Sequence, residues 1–367
     1  MTLKQDKAVS RRTFLKTAGA GAALAALPVM QSKAQATTFS WRMVTSWGAG
    51  TPILQTVAER FADLVRERTN GDLDIEVFAG GELVPAASGE FDAVSSGTVQ
   101  ASNSASYYWA GQVPAAQFFT AVPFGFTFDQ LQAFLLGGGG LELWEEVYDP
   151  FGLVPVPLIT TSMQMGGWFN TKIESIDDLN GLKMRIPGLG GAVMAKAGVN
   201  TILLPGSEIF TALQTGTIDA TEFVGPFIDK ILGFAEVAKY YYHPGWHEPG
   251  VTAEFMMNKD AWNALPKDIQ GIIRGSAADT TAWSFAQFEA ENSKALIALQ
   301  EEFPDMELVR FPDEVLAELR RLTDVVLDEQ GDGDAVFTKV RDAVVKFADL
   351  LGGWSDISIE SYLPAIQ

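Results

Sequence analysis

The sequence predicts an α/β protein of two lobes with a ligand cleft between them, braced by one long helix and finished by a helical C-terminal tail. Three observations carry this. The chain has 367 residues, more than one hydrophobic core usually serves, so two domains are the prior. A motif recurs: F-D-A-V-S-S-G-T-V-Q-A from Phe91 and F-T-A-L-Q-T-G-T-I-D-A from Phe210. The two copies keep Phe, Ala, an aliphatic residue, Gly-Thr, a second aliphatic residue and Ala in register. Strand-like and helix-like periodicities flank each copy in the same order.

Residues 1–36 read as an export signal. S-R-R-T-F-L-K spans Ser10 to Lys16, a small apolar run follows from Ala18 to Met30, and A-Q-A ends at Ala36. A charged start, an apolar middle and a small-residue cleavage site have this form, and Arg11-Arg12 marks the twin-arginine route. The apolar run is shorter than the roughly 20 residues a membrane helix needs. The expected location is therefore the periplasm.

The first lobe is expected over 37–158 with 251–287. Phe39, Trp41 and Met43 alternate as in a strand, Thr51-Pro52 has the form of a helix cap followed by proline, and Leu54, Val57, Phe61, Leu64 and Val65 share a helical face. Asn70-Gly71 ends that helix, and Leu73, Ile75 and Val77 form a second strand. Phe78–Leu83 reads as more strand, and Gly137–Gly140 as a flexible loop. The repeat then supplies a short helix stopped at Gly97 and a third strand.

The second lobe is expected over 159–250 with 288–367. Leu182, Met184 and Ile186 alternate as a strand, a helix runs to Gly198, Thr201–Leu204 is a strand, and the second repeat copy follows. Both halves read β-α-β-α-β, and ligands of such sheets sit near the C-terminal strand ends. From Pro266 to Phe303 the pattern is helical, about 50 Å long, either bent at Gly271 and Gly275 or split in two. The tail beyond Asp313 carries Val336, Phe337, Val340, Val344, Phe347 and Leu351. It either packs on its own lobe or pairs with a second copy as a homodimer.

Charge and composition exclude several functions. Removing 1–36 leaves 20 basic against 45 acidic residues, a net −25, which argues against nucleic acid and anionic membrane as partners. Without cysteine there is no thiolate metal centre, disulfide or covalent haem. His243 and His247, the only histidines, have zinc-like spacing, but Pro244-Gly245 between them breaks a helix. A metal here is expected to be a hard ion held by oxygen.

Four polar residues stand in apolar, glycine-rich surroundings. Gln164 lies in S-M-Q-M-G-G-W-F, in what reads as a buried strand. Arg185 ends L-K-M-R-I-P-G, where its planar guanidinium can fork onto a carboxylate. Glu222 lies in G-T-I-D-A-T-E-F-V-G-P and Glu248 in Y-Y-Y-H-P-G-W-H-E-P-G. One cation, two carboxylates and an amide suit a small carboxylate held with a cation, because two carboxylates beside an anion repel it otherwise. Gly188–Val193, G-L-G-G-A-V, half-matches a dinucleotide fingerprint and is read as a turn into a helix. Asp332-Gly333-Asp334 is read as a solvated turn.

At these motifs the chain resembles the substrate-binding subunit of tripartite ATP-independent periplasmic (TRAP) transporters, in the branch that binds 2-oxo acids or lactate with a metal ion. The resemblance implies a two-lobed binding protein, not an enzyme, that docks on membrane subunits. It makes Arg185 the carboxylate clamp. It places Gln164, Glu222, the Phe223 carbonyl and Glu248 around one Na⁺ or Ca²⁺. Gln164 also contacts the ligand, and Tyr107, Tyr108 and Trp246 are candidate walls. Phe223 stands where some relatives carry tryptophan. An exported metal-dependent enzyme and a ligand-sensing receptor are the alternatives. The first lacks an obvious acid–base pair. The second needs the same closing lobes.

Overall fold

The computed structural model describes residues 38–366. The first half runs β1 (Phe39–Thr45), α1 (Gln55–Arg68), β2 (Leu73–Phe78), α2 (Glu90–Ser95) and β3 (Ala101–Ser104). Two 3-10 turns, Ser106–Trp109 and Pro114–Phe119, lead to α3 (Phe128–Gly137), α4 (Gly140–Tyr148) and β4 (Leu153–Ser162). The second half runs β5 (Gly167–Phe169), β6 (Lys183–Arg185), α5 (Gly188–Lys196), β7 (Asn200–Ile202), α6 (Gly206–Gln214), β8 (Ala220–Thr221), α7 (Pro226–Ile231) and β9 (Tyr240–His243). The chain then crosses through β10 (Val251–Asn258), α8 (Lys259–Ala264) and α9 (Lys267–Glu302) to β11 (Glu307–Arg310), α10 (Asp313–Gly331), α11 (Ala335–Ile357) and α12 (Ile359–Tyr362).

Two sheets result, ordered β2-β1-β3-β10-β4 and β11-β9-β5-β8-β6-β7. The internal repeat is visible in both. β1 pairs in parallel with β2 and β3, and β6 pairs in parallel with β7 and β8. The repeat's last alanines occupy matching places, Ala101 opposite Met43 and Ala220 opposite Met184. The stops match too. Gly97 and Gly216 have φ of 74° and 70°, where a side chain would strain the backbone. Val99 N–H donates to the Ala93 carbonyl and Ile218 N–H to that of Ala212, both at 3.2 Å.

The core follows the predicted faces. Met43, Val57, Phe61 and Val65 are fully buried, and Phe61 meets Phe255 edge-on at 4.7 Å. Each such side chain contributes about 1.5–3 kcal/mol by leaving water. α9 is one uninterrupted helix of 36 residues, about 54 Å long. Its Ser284 hydroxyl accepts from Thr160 N–H on β4, while its Asn292 amide oxygen accepts from Phe227 N–H on α7. It thus grips the edge strand of the first sheet and the helix that follows β8 of the second. α10 packs on α5, and α11 packs on α3, α4 and the Pro114–Phe119 turn.

Four local expectations are corrected. α1 begins at Gln55 and not behind Thr51, because Ile53 adopts φ 60° and breaks the first turn. β2 stops at Phe78, and the Ala79–Leu83 stretch turns back so that Gly80 N–H donates to the Trp47 carbonyl. Gly137–Gly140 is a tight helix-to-helix turn rather than a flexible loop: a Cβ on Gly138 would meet the Phe347 ring at 2.5 Å. Gln164 lies in the connection between β4 and β5, not in a strand. Asp334 proves to be the cap of α11, accepting from Val336 and Phe337 N–H.

Candidate ligand and ion site

The strand ends of the second sheet and the β4–β5 connection converge on one buried cavity. Its lining includes Trp47, Leu54, Tyr107, Tyr108, Thr161, Gln164, Arg185 and Phe223. Its volume, open to the centre of a water-sized sphere, is about 20 Å³, enough for one or two waters.

Arg185 ends β6 and is 1% exposed. Its Nε donates to the Leu204 carbonyl at 3.0 Å, and Nη1 donates to the Glu222 carbonyl at 3.2 Å and to Glu222 Oε1. Nη2 is buried without a protein acceptor. The Phe223 ring lies against the guanidinium, 5.4 Å from Cζ to centroid, an arrangement that favours the cation.

Glu222 follows β8, where parallel pairing brings it beside β6: Glu222 N–H donates to the Arg185 carbonyl at 3.2 Å. Its Oε2 lies 3.2 Å from His247 Nε2. The loop after it is held by Asp229, which accepts from Trp168 Nε1, the Tyr241 hydroxyl and Val224 N–H. Burial pushes the Asp229 carboxyl up to about 7.

Gln164 and Glu248 are tied through the backbone, Gln164 N–H donating to the Glu248 carbonyl at 3.1 Å. The Gln164 amide donates to Thr161 Oγ1, which leaves Oε1 buried and without a donor. Glu248 Oε2 is equally unpartnered. Burial pushes the Glu248 carboxyl well up, and neighbouring Glu222 adds to the shift. Ligand atoms of Glu222, His247 and Glu248 all lie within 4.8 Å of one another.

Tyr107 and Tyr108 close the cavity from the first lobe, their rings perpendicular at 4.8 Å. Burial pushes the Tyr108 phenol up to about 12, with the Arg185 charge opposing, and raises Tyr107 well above the ordinary value. Both therefore offer O–H donors. Tyr107 reaches across because position 188 is glycine: a Cβ there would stand 2.9 Å from Tyr107 Cβ, and φ is 59°. The half-matched fingerprint is thus room for side chains and not a phosphate cradle.

The structure brings Gln164, Arg185, Glu222, Phe223, Glu248, Tyr107 and Tyr108 together. Trp246 is not among the lining residues; it packs on Phe124 at 5.5 Å. Trp47 provides the second aromatic wall, and the sequence offered no sign of it beyond an isolated tryptophan before Gly48. His247 was read only as half of a zinc pair; it belongs with Glu222 and Glu248, while His243 is outside the cluster.

The donor set fits a hard cation with an anion. Gln164 Oε1 and Glu248 Oε2 are buried acceptors lacking donors, and Arg185 Nη2 is a buried donor lacking an acceptor. Such atoms demand partners, and oxygens from an amide and carboxylates suit Na⁺ or Ca²⁺.

The bacterial extracellular solute-binding protein family 7 matches residues 43–333. A twin-arginine translocation signal matches residues 8–28, which lie outside the described residues. A monocarboxylate 2-oxoacid-binding periplasmic protein of Nostoc sp. is 40% identical over 96% of this chain and 98% of its own. A TRAP solute-binding protein from Pseudoalteromonas atlantica, solved with sodium and pyruvate, has 37% identity and TM-score 0.87, over 90% of this chain and all of that one. One from Colwellia psychrerythraea, solved with calcium and pyruvate, has 36% identity and TM-score 0.85, over 89% and 99%. With these similarities, two matching sheets and an export signal, the chain belongs to the family 7 extracellular solute-binding proteins, the periplasmic solute-binding component of TRAP transporters.

Proposed function

We propose that the protein captures a small monocarboxylate with a second oxygen beside the carboxylate: a 2-oxo acid such as pyruvate, or a 2-hydroxy acid such as lactate. It delivers the acid to the membrane subunits of a TRAP transporter and does not transform it. The acid's carboxylate meets Arg185 Nη2, with Gln164 and the Tyr107 and Tyr108 hydroxyls beside it. One Na⁺ or Ca²⁺ is held by Gln164, Glu222, the Phe223 carbonyl and Glu248, and is chelated by the acid. The observation that carries this is a set of buried atoms without partners: the acceptors Gln164 Oε1 and Glu248 Oε2 and the donor Arg185 Nη2, with His247 Nδ1 beside them. The two pyruvate-bound relatives support the substrate class.

The lobes belong to the same proposal: 37–158 with 251–287, and 159–250 with 288–367, closing about the strands between them. A receptor that senses the acid would use the same cleft. The finer reading of partners is a pair of copies meeting through the tail. Leu350, Trp354 and Ile357 are 73%, 66% and 73% exposed at i, i+4, i+7 spacing, an apolar helical stripe suited to a like stripe. Sedimentation should find the wild type paired and a Trp354→Glu variant monomeric.

Native mass spectrometry with pyruvate, 2-oxobutyrate and lactate, with and without chelator, tests the main reading. The expected species gains acid and ion together, and the acids are recovered unchanged. Conversion of the acid that disappears in Glu248→Gln would establish an enzyme instead.

A further inference from the structure

We propose that His247 is a positioning residue that fixes Glu222 for the ion and is not itself an ion ligand through the nitrogen that touches Glu222. This rests on the ion-assisted reading above and adds to it a residue of the same site. His247 is 2% exposed, and its Nε2 lies 3.2 Å from Glu222 Oε2. An ionised carboxylate oxygen only accepts, so we assign the proton in this contact to Nε2, and a protonated ring nitrogen has no lone pair for a cation. Arg185 Nη1 holds the other oxygen, Oε1. The Glu222 carboxylate is therefore pinned at both ends, and its rotation about the terminal torsion is blocked.

The contrast with Glu248 sharpens the assignment. Glu248 Oε2 has no protein donor, so that carboxylate can turn to meet an ion, whereas Glu222 presents a fixed pair of lone pairs. Outer hydrogen bonds of this kind orient ion ligands and set their basicity.

The placement of His247 is built in. A Cβ on Gly190, in the first turn of α5, would lie 2.9 Å from His247 Cβ. The Trp246 ring stands 5.6 Å away at 70°. Gly190 thus gives the imidazole its seat, just as Gly188 admits Tyr107. The glycine pattern that half-matched a dinucleotide fingerprint is accounted for by these two approaches.

Calcium and, separately, sodium titrations in saturating pyruvate test the proposal by calorimetry on the purified protein, with wild type, His247→Leu and His247→Gln. Glutamine's amide overlays Nε2 and returns a donor to Glu222; leucine does not. His247→Leu should weaken ion binding by about 10–100-fold, while His247→Gln should stay within about threefold of wild type. Melting temperatures of the ion-free variants report whether each folds. Should His247→Leu not fold, His247→Asn replaces it, because its amide overlays Nδ1 and cannot reach Glu222. Unchanged affinity in His247→Leu, or an equal loss in the glutamine and leucine variants, overturns the positioning role. A wild type that binds neither ion overturns the ion-assisted reading as well.

Discussion

Arg185 and Glu222 form a buried ion pair in which two guanidinium nitrogens, Nε and Nη1, serve the protein and the third, Nη2, has no protein partner. Nη1 is used on the Glu222 side chain and carbonyl, while Nη2 has no protein acceptor. In the proposed site one residue therefore joins the acid-binding half to the ion-binding half.

Arg185→Ala should abolish acid binding, a loss of about 3–5 kcal/mol from leaving buried charge unpaired. Ion affinity should fall too, because Glu222 loses its anchor. Arg185→Lys should rescue little, since one ammonium cannot copy the fork. Calorimetry with pyruvate decides this, and near-wild-type affinity in a folded Arg185→Ala protein would remove Arg185 from the site.

Acid and ion should bind in linkage. Stripping Na⁺ and Ca²⁺ should weaken pyruvate by at least about tenfold, about 1.4 kcal/mol. Saturating pyruvate should strengthen the ion by the same factor. Propionate, which lacks the second oxygen, should bind poorly with or without the ion. Equal pyruvate affinity in ion-free protein would leave Glu222 and Glu248 needing another role.

Gly188→Ala should hold the cleft open, because the new methyl meets Tyr107 Cβ at 2.9 Å and neither partner is a flexible tip. Pyruvate affinity should drop about tenfold or more, and small-angle scattering should show pyruvate compacting the wild type but not this variant. Normal compaction in this variant would show that the lobes close without that contact.

Glu254 lies fully buried on β10 with one donor, the Tyr148 hydroxyl at 2.8 Å, and burial pushes its carboxyl well above 4.5. The unfolded chain loses that proton near 4.5 while the folded chain keeps it. Stability is therefore greatest below that value and falls as pH rises toward the raised folded pKa, by up to about 1.4 kcal/mol per pH unit. Glu254→Gln keeps the acceptor and removes the titration. Denaturant unfolding between pH 4.5 and 8 should show the variant gaining on the wild type as pH rises; parallel curves would mean that Glu254 is charged when folded.

The fold was legible because its halves repeat the same local rules. Gly97 and Gly216, each six residues after a Phe and four before an Ala, state two helix stops in sequence alone. The polar four were legible because charge and amide groups are rare in Leu-Met-Ile strands and Gly-Pro loops. What was not legible depended on distance through space. Trp47 joins Gln164 in the cavity wall only after the first lobe folds over, and no spacing rule connects them. Trp246 and His247 are neighbours with opposite fates: the first turns to Phe124 and the second to Glu222. The start of α1 was misplaced because Ile53 takes a left-handed backbone that nothing in Thr51-Pro52 announces.

The four polar residues of the site, Gln164, Arg185, Glu222 and Glu248, are 1–3% exposed, and that burial has a kinetic meaning. With the lobes closing over a solute as proposed, its escape is counted in opening events. Tight contacts then set how full the protein is, and the opening frequency sets how long each molecule stays. Two acids of equal affinity would leave at different rates if one steadied the shut form more. A membrane partner that favours the open form would shorten that dwell time without touching the acid.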